Sequence, residues 1–554
     1  MKINQIIILL CCVLSINCKS QNKSKKPLNI VWLSTEDMGP ILGSYGNKVI
    51  KTPNLDKLAK EGVRYTNAYA TVGVCAPSRF SIITGVYSAR LGAHNMRTGN
   101  YHNYKTPEEV THKTYIGVKD LTGRNIPEYE VVPPTYVKPF TEILRKKGYY
   151  AANNFKCDYQ FNAPFTTWDE VSSNVSYRNA PNGKPFFYVR NFLVTHESRI
   201  WQRKDKPLTV KPKDIIVPAY FADIPEVRQD IARKYSNIEE MDRQVGIIIE
   251  QLKKDDLLEN TIIMFWSDHG GNLLRQKRAV GNTGLNVPLI VRYPDKKMAG
   301  KVDNRIVSLM DLGPTVLSLL NIKPPKHYDG KAFAGNFEQA PRKYAFGTAD
   351  RFDETTDMQR SVLDGRFVYI KNFLPQLPLI YRNKYREQIT MNARLIELNR
   401  QKKLKGDAAY MFMKTKPREE LYDLENDPYE VHNLAGDPKY AKNLSKYRKA
   451  LAAWQLEIGD RGFIPEHDLI EMFWPEMIQP ITKNVLFFQQ KRGMLQLDCK
   501  TEGASIGYQT GKNIGTRNWQ LYHEPIKTKR NQKIVARAIR IGFKASEITS
   551  LNPN

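Results

Sequence analysis

The chain has 554 residues, with 84 lysines and arginines against 57 aspartates and glutamates and a net charge of +27. Hydrophobic residues make up 41% of the sequence and charged residues 25%, which excludes a disordered linker and a mini-protein. The positive charge indicates an anionic partner, which could be nucleic acid, an acidic membrane surface or a polyanionic carbohydrate. Charge alone does not choose between these three classes.

The first residues predict export. An apolar run over residues 6–14 is far shorter than the roughly 20 residues of a membrane-spanning helix, and it indicates a signal peptide over 1–17. Cys18 and a polar tether over 18–27 follow, which resembles a bacterial lipoprotein cleavage site with Cys18 as the lipid-bearing residue. We therefore expect a lipoprotein anchored in a membrane, at the outer membrane, the cell surface or in the periplasm. Cleavage and release is the alternative, because Asn17 is unusual before such a cysteine.

Alternating strand and helix patterns follow the tether. Near-continuous apolar runs are typical of strands buried on both faces of a sheet. Helical patterns lie between them, one over 54–62 and a long one over 227–254. The order predicts an α/β fold with a mainly parallel sheet sandwiched by helices. The runs that we predict to be strands are 29–34, 186–194, 261–267 and 287–291.

The end of the chain differs in character. From about residue 485, short β-type segments such as 493–497 and 534–541 are separated by Gly, Asn and Lys clusters. We predict a β-rich module over 485–554. Three cysteines remain beyond the leader, Cys75, Cys157 and Cys499, too few for a disulfide framework.

Polar residues directly follow three of the predicted strands. Ligands bind outside the carboxyl ends of strands in open α/β sheets, so these residues are candidates for a common site. Their carboxylates favour a hard divalent cation, calcium before magnesium, while a histidine ligand leaves room for manganese or zinc. The residues are Glu36 and Asp37 after the first run, His196 after the second, and Asp268 and His269 after the third.

Residues 75–79 read Cys-Ala-Pro-Ser-Arg at a predicted helix start. Pro77 suits the first turn of a helix, and the helix N-terminus together with Arg79 makes an electropositive surround that suits an anion. The pentapeptide resembles the C-x-P-S-R signature of the type I sulfatases, in which the cysteine is oxidised to formylglycine. The resemblance implies that Cys75 becomes 3-oxoalanine through a separate formylglycine-generating enzyme, and that it also contacts the metal.

The resemblance extends over about residues 28–455. It implies an alkaline-phosphatase-like sulfatase fold, with a catalytic domain over 28–350 and a smaller C-terminal subdomain over 351–480. Glu36 and Asp37 stand where the family has two aspartates, and His269 stands where asparagine is frequent. Lys156 and Lys277 match the sulfate-contacting lysines, whereas Asp158 replaces the family's histidine and puts that contact in doubt.

The family mechanism implies roles for single residues. One hydroxyl of the hydrated aldehyde at position 75 attacks sulfur, Arg79 holds the diol, and Lys156, Lys277 and the metal neutralise the sulfate oxygens. His196 is our candidate for the acid that protonates the leaving alcohol. Further candidates for contacts to the sulfate, the sugar or a uronate are His94, Asp158, Arg199, Arg275 and Arg278.

The resemblance predicts a sulfatase that acts on a sulfated polysaccharide or its oligosaccharides, with algal ulvan as the leading candidate. The alternative enzyme is a phosphatase or phosphonate monoester hydrolase of the same superfamily, which a comparison of sulfate and phosphate esters would separate. A non-catalytic polyanion-binding protein is a second alternative. Nucleic acid is not an expected partner, because the sequence carries no recognisable nucleic-acid motif.

Overall fold

We describe the protein from a computed structural model, over residues 26–96, 98–529 and 532–551. The predicted signal peptide and Cys18 lie outside these residues. Within them, no helix combines the length and the apolar character that crossing a bilayer requires. Cys75, Cys157 and Cys499 are all free thiols, as the cysteine count predicts.

An eight-stranded sheet forms the centre of the molecule, in the order β4-β3-β5-β1-β6-β7-β2-β8. β1 pairs in parallel with both β5 and β6, and only β7 runs antiparallel to its neighbours β6 and β2. The prediction of a mainly parallel sheet is therefore confirmed. The strands are β1 (Asn29–Thr35), β2 (Val63–Tyr69), β3 (Tyr150–Asn154), β4 (Glu170–Ser172), β5 (Phe186–Phe192), β6 (Thr261–Ser267), β7 (Asn286–Arg292) and β8 (Lys301–Ser308).

Helices cover both faces of this sheet. Along β1, Ile30 and Trp32 belong to one buried apolar cluster, whereas Val31 and Leu33 belong to another. Since successive side chains of a strand point to opposite faces, the two clusters lie on opposite sides of the sheet. This explains why the strand sequences are apolar throughout. The helices here are α1 (Pro53–Glu61), α2 (Cys75–Thr84), α3 (Phe140–Lys146), α4 (Ser198–Gln202), α5 (Pro225–Lys254), α6 (Asn282–Leu285) and α7 (Leu312–Leu319).

A second, four-stranded antiparallel sheet follows in the order β12-β11-β10-β9. It already begins at Ala345, inside the segment that the sequence assigns to the catalytic domain. Tyr447 and Trp454 of α10 pack against this sheet and bury its apolar face. Its elements are β9 (Ala345–Phe352), β10 (Thr355–Leu363), β11 (Phe367–Asn372), α8 (Thr390–Arg400), α9 (Gly406–Tyr410), β12 (Glu419–Asp423), α10 (Ala441–Ile458) and α11 (Glu466–Phe473).

The C-terminal residues form two small antiparallel sheets, β13-β14-β17 and β16-β15-β18-β19, as the β-rich pattern predicts. A polar contact fixes this module to the catalytic domain: Ser505 Oγ donates to Glu142 (2.8 Å) and accepts from Lys138 Nζ (3.0 Å). The strands are β13 (Val485–Gln490), β14 (Met494–Cys499), β15 (Ser505–Thr510), β16 (Gln520–Leu521), β17 (Ile526–Lys527), β18 (Ile534–Ile539) and β19 (Thr549–Leu551).

Candidate active site

The carboxyl ends of β5, β1 and β6 meet at one edge of the central sheet. Asp37 comes two residues after β1, and its backbone N–H donates to Asp268 Oδ1 (3.2 Å), which directly follows β6. The backbone N–H of Glu197, beyond β5, donates to Asp37 Oδ2 (2.7 Å). Neighbouring parallel strands end on the same side, so their order in the sheet produces this convergence.

Cys75 is the first residue of α2 and faces these strand ends. Its Sγ lies 3.4 Å from His269 Nε2 and 3.9 Å from Asp37 Oδ1, and the residue is 2% exposed. Gly73, two residues earlier, allows close packing against the segment that follows Lys277, because a Cβ at Gly73 would lie 2.3 Å from the Ala279 carbonyl oxygen. Burial raises the pKa of the Cys75 thiol, against the opposing effect of Lys156 and Lys277.

Four side chains can hold a metal ion together. The donor atoms of Asp37, Cys75, Asp268 and His269 all lie within 4.8 Å of one another, and all four residues are buried. Burial opposes protonation of His269, yet Asp268 and Asp37 raise its pKa to about 10. Two buried carboxylates that draw a positive charge onto an imidazole are a donor set suited to a divalent cation. The group thus fits the metal that the sequence predicts.

Glu36, the fifth predicted ligand, does not join this group. Its Oε1 lies 3.2 Å from Arg79 Nη2 and also contacts Lys156 Nζ, and the side chain is 2% exposed. In this structure the Glu36 carboxylate therefore pairs with Arg79, the predicted diol contact, and with Lys156, a predicted sulfate contact. Arg79 also contacts Asp268, with Nε 3.1 Å from Oδ2, and donates from Nη1 to Asn191 Oδ1 (3.1 Å).

Lys277 forms ion pairs with Asp37 and Glu197. Its Nζ lies 2.8 Å and 3.0 Å from the two Asp37 oxygens and 3.2 Å from Glu197 Oε1. Although burial disfavours its charge, Asp37 and the other anionic neighbours raise the pKa of Lys277 well above its usual value. Lys156 and Lys277 both border the same open cleft as Cys75. Cationic groups of different chain segments thus surround the sulfur atom at position 75.

His196 lies beside Lys277 at the edge of the cleft. Its Nε2 is 3.3 Å from Lys277 Nζ, and its Nδ1 accepts from the backbone N–H of Ser198 (3.2 Å). Burial and the Lys277 charge lower the pKa of His196, so the ring is mainly neutral at neutral pH. This side chain has a titratable nitrogen within the cleft, as its predicted role requires.

Glu197 is a site residue that our sequence reasoning missed. It is 0% exposed, and its carboxylate contacts Lys277 and Arg278, with 3.0 Å from Oε2 to Arg278 Nη1. Burial works against its ionisation, but Arg278 and Lys277 lower the pKa of Glu197 to about 2. The signal was its place directly after His196, in the polar run that follows β5.

The cleft above these residues has a volume of about 720 Å³. Asp158 and Arg199, two predicted substrate contacts, line it. Asp158 has a left-handed backbone conformation with φ of 59°, and its Oδ2 lies 3.4 Å from Lys156 Nζ. Further lining residues that the sequence did not indicate are Asn100, Tyr101, His102, Lys113, Tyr115, Arg351, Glu354 and Tyr385.

Three residues that we predict to contact substrate, His94, Arg275 and Arg278, do not line this cleft. His94 is 2% exposed, and its charged neighbours include Arg360 and Asp460. Arg275 donates to the backbone carbonyl of Glu430, and its guanidinium lies over the rings of Tyr220 and Tyr422 at 5.7 Å and 5.9 Å.

Arg278 is held by two carboxylates, Glu197 and Asp353, at 3.0 Å and 2.7 Å. With Arg275, it lines a second cavity, which shares Lys277 with the open cleft. Arg278 and Lys277 therefore share the Glu197 carboxylate, and Arg278 can act on the site through that carboxylate.

Comparison with known proteins identifies the class. The sulfatase family profile matches residues 28–322, and the chain belongs to the sulfatase family. An ulvan-active sulfatase of Formosa agariphila is 38% identical, and the alignment covers 99% of this chain and 97% of that protein. Human N-sulphoglucosamine sulphohydrolase is 26% identical, over 82% of this chain and 95% of its own. The protein is therefore a sulfatase, a hydrolase of sulfuric ester bonds.

Solved structures share the fold. A protein in complex with its substrate D-glucosamine-2-N,6-O-disulfate aligns with a TM-score of 0.53 and 16% identity, covering 80% of this chain and 99% of its own. The phosphonate monoester hydrolase of Agrobacterium radiobacter aligns with a TM-score of 0.53 and 17% identity, and the alignment covers 78% of this chain and 96% of the hydrolase. Since sulfatases and a phosphonate hydrolase share this architecture, the fold alone does not fix the ester that is cleaved.

Proposed function

We propose that this sulfatase removes sulfate from an anionic algal polysaccharide of the ulvan type, or from its oligosaccharides. One observation carries the proposal: Cys75 lies at the floor of a cleft of about 720 Å³ that is bordered by Lys156, Lys277 and Arg199. A sulfate ester is an anion, so fixed cations at its oxygens are what permits attack on sulfur. The volume accommodates sugar rings on either side of the ester.

Formylglycine at position 75 would supply a hydrated aldehyde whose hydroxyl attacks sulfur. The residues around it have separable tasks. Lys156 and Lys277 hold the sulfate oxygens from two sides, because each ammonium lies at the cleft surface next to Cys75. Arg79 is 4% exposed and fixed by Asp268 and Asn191, which orients its guanidinium toward the side chain at position 75.

His196 is the proton donor in this proposal. Its Nδ1 is held by Ser198, which leaves Nε2 beside Lys277 and directed to the cleft. A sugar alkoxide is a poor leaving group, and a positioned acid contributes typically ~10²–10⁴ in rate. Burial and Lys277, whose Nζ lies 3.3 Å from Nε2, lower the pKa of His196, so the protonated ring is the minor form at neutral pH and a strong acid toward the departing alkoxide.

Calcium is the proposed metal. The donor set of Asp37, Asp268 and His269 would hold it, and a calcium ion would neutralise sulfate oxygens while the ester bond breaks. Magnesium and manganese are the alternatives. Conversion of Cys75 would depend on a formylglycine-generating enzyme. Export and a lipid anchor at Cys18 would place the enzyme where large polysaccharides reach it.

The substrate class rests on the relatives. Three relatives from Formosa agariphila are ulvan-active sulfatases, at 38%, 28% and 27% identity. The charge of +27 favours a polyanionic substrate, because it raises the local concentration of anionic chains. Asp158, where the family has a histidine, is the point at which we expect this enzyme to differ in sugar contacts.

The test is sulfate release from a panel of glycans by protein co-produced with a formylglycine-generating enzyme. Ulvan and its oligosaccharides should release sulfate, and the Cys75→Ala variant should release none. Para-nitrophenyl sulfate and para-nitrophenyl phosphate, assayed side by side, test the reaction class with one leaving group. Faster cleavage of the phosphate ester would overturn the sulfatase assignment, and release only from glycosaminoglycans would overturn the ulvan assignment.

A further inference from the structure

We propose that a basic groove between the catalytic domain and the C-terminal β-rich module binds the same polysaccharide chain, away from the sulfate ester being cleaved. This groove, which we call the junction groove, has a volume of about 570 Å³. It is lined on one side by residues 105–112 and 162–165 and on the other by residues 537–547. The proposal rests on the proposed polysaccharide substrate.

The junction groove adjoins the active-site cleft. Four chain segments contribute residues to both linings, and within each segment the two lining residues are at most two positions apart. Two residues span at most about 7 Å, so a thin wall of shared segments separates the two cavities. The paired residues, cleft first and groove second, are Asn103 and Lys105, Lys113 and His112, Glu128 and Glu130, and Gln160 and Asn162.

The wall is rigid. The backbone N–H of Lys105 donates to Asn162 Oδ1 (3.2 Å), and Asn162 Nδ2 donates back to the Lys105 carbonyl (2.9 Å). Next to them, the Cys157 N–H donates to the His102 carbonyl (2.9 Å). On the far side, Arg537 of the module contacts Glu108 and thereby ties the wall to β18. A polymer that leaves the cleft over this wall meets the junction groove.

The groove carries cations without carboxylate partners. Within the described residues, neither Lys105 nor Lys544 forms an ion pair, and the Arg540 guanidinium donates to the Pro133 carbonyl (2.5 Å) and to no carboxylate. Two acidic residues line the groove, Glu130 and Glu547. Glu130 is already engaged, because it accepts from the Asn162 N–H (2.8 Å) and from Gln479 (3.2 Å). Lys105, Arg537, Arg540 and Lys544 outnumber these two carboxylates, so the charge of the groove is positive on balance and suits sulfate or uronate groups.

The roles of Lys105 and Lys544 can be tested without disturbing the fold. Lys544 is fixed through its backbone, since its N–H donates to Pro480 (2.8 Å) and its carbonyl accepts from Thr482 (2.9 Å). Replacing both lysine side chains with glutamine leaves these contacts in place. A matched control replaces Lys512 and Lys527, exposed lysines of the same module that do not line the groove.

The experiment measures equilibrium binding of the full-length Cys75→Ala protein to long ulvan and to an ulvan disaccharide. Adding Lys105→Gln and Lys544→Gln should weaken binding of long ulvan by about five- to tenfold and leave disaccharide binding unchanged. Lys512→Gln and Lys527→Gln should change neither. Equal loss in both double variants, or no loss in the groove variant, would overturn the proposal. Because the readout is binding, it is independent of whether ulvan releases sulfate.

Discussion

Replacing His94 distinguishes a buried structural histidine from a substrate contact. Burial, together with Arg360, lowers the pKa of His94 to about 4, compared with about 6.5 in an unfolded chain. Between these values the unfolded chain binds a proton that the folded protein does not. The contribution of His94 to the free energy of unfolding is therefore fully present above about pH 6.5. It falls as the pH is lowered toward 4 and changes no further below that pH. The full difference corresponds to about 3 kcal/mol of folding free energy.

The assay is urea unfolding of the wild type and the His94→Gln variant, followed by tryptophan fluorescence. At pH about 7.5 the variant should be the less stable protein, and at pH about 5 its deficit should shrink by about 2 kcal/mol. Titrating groups that do not interact with His94 are present in both proteins and cancel in the comparison. An equal deficit at both pH values would refute the reasoning. If the His94→Gln variant had a raised KM and a stability deficit that did not change with pH, His94 would be a substrate contact, as the sequence predicts.

Four further outcomes are expected for the active site. Cys75→Ala should abolish turnover on every sulfate ester while ulvan binding persists. Glu197→Gln should lower kcat by ~10²–10³ because Lys277 and Arg278 lose their shared carboxylate, and unchanged kcat would contradict that placement. His196→Ala should slow sulfated sugars ~10²-fold or more but para-nitrophenyl sulfate far less, since that leaving group needs no proton. EDTA should remove activity and added calcium should restore it; recovery with manganese alone would change the metal assignment.

The sequence by itself determined the class of the protein and most of the sheet. The apolar runs at 29–34 and 261–267 became β1 and β6, because strands buried on both faces need apolar residues throughout. The pentapeptide from Cys75 to Arg79 predicted the sulfatase family, since a short contiguous motif can be recognised without knowledge of tertiary contacts. The placement of Asp37 next to Asp268 followed from the rule for strand ends.

Only the tertiary structure decided which charged side chains face the cleft. Arg199 reaches the cleft, whereas Arg278 is held by Glu197 and Asp353, residues 81 and 75 positions away in the chain. A composition pattern cannot distinguish a free arginine from one that is paired with a distant carboxylate. Burial of His94 and the role of Glu197 depend on the same long-range packing. The charge of a residue is local information, but its partner is set by the fold.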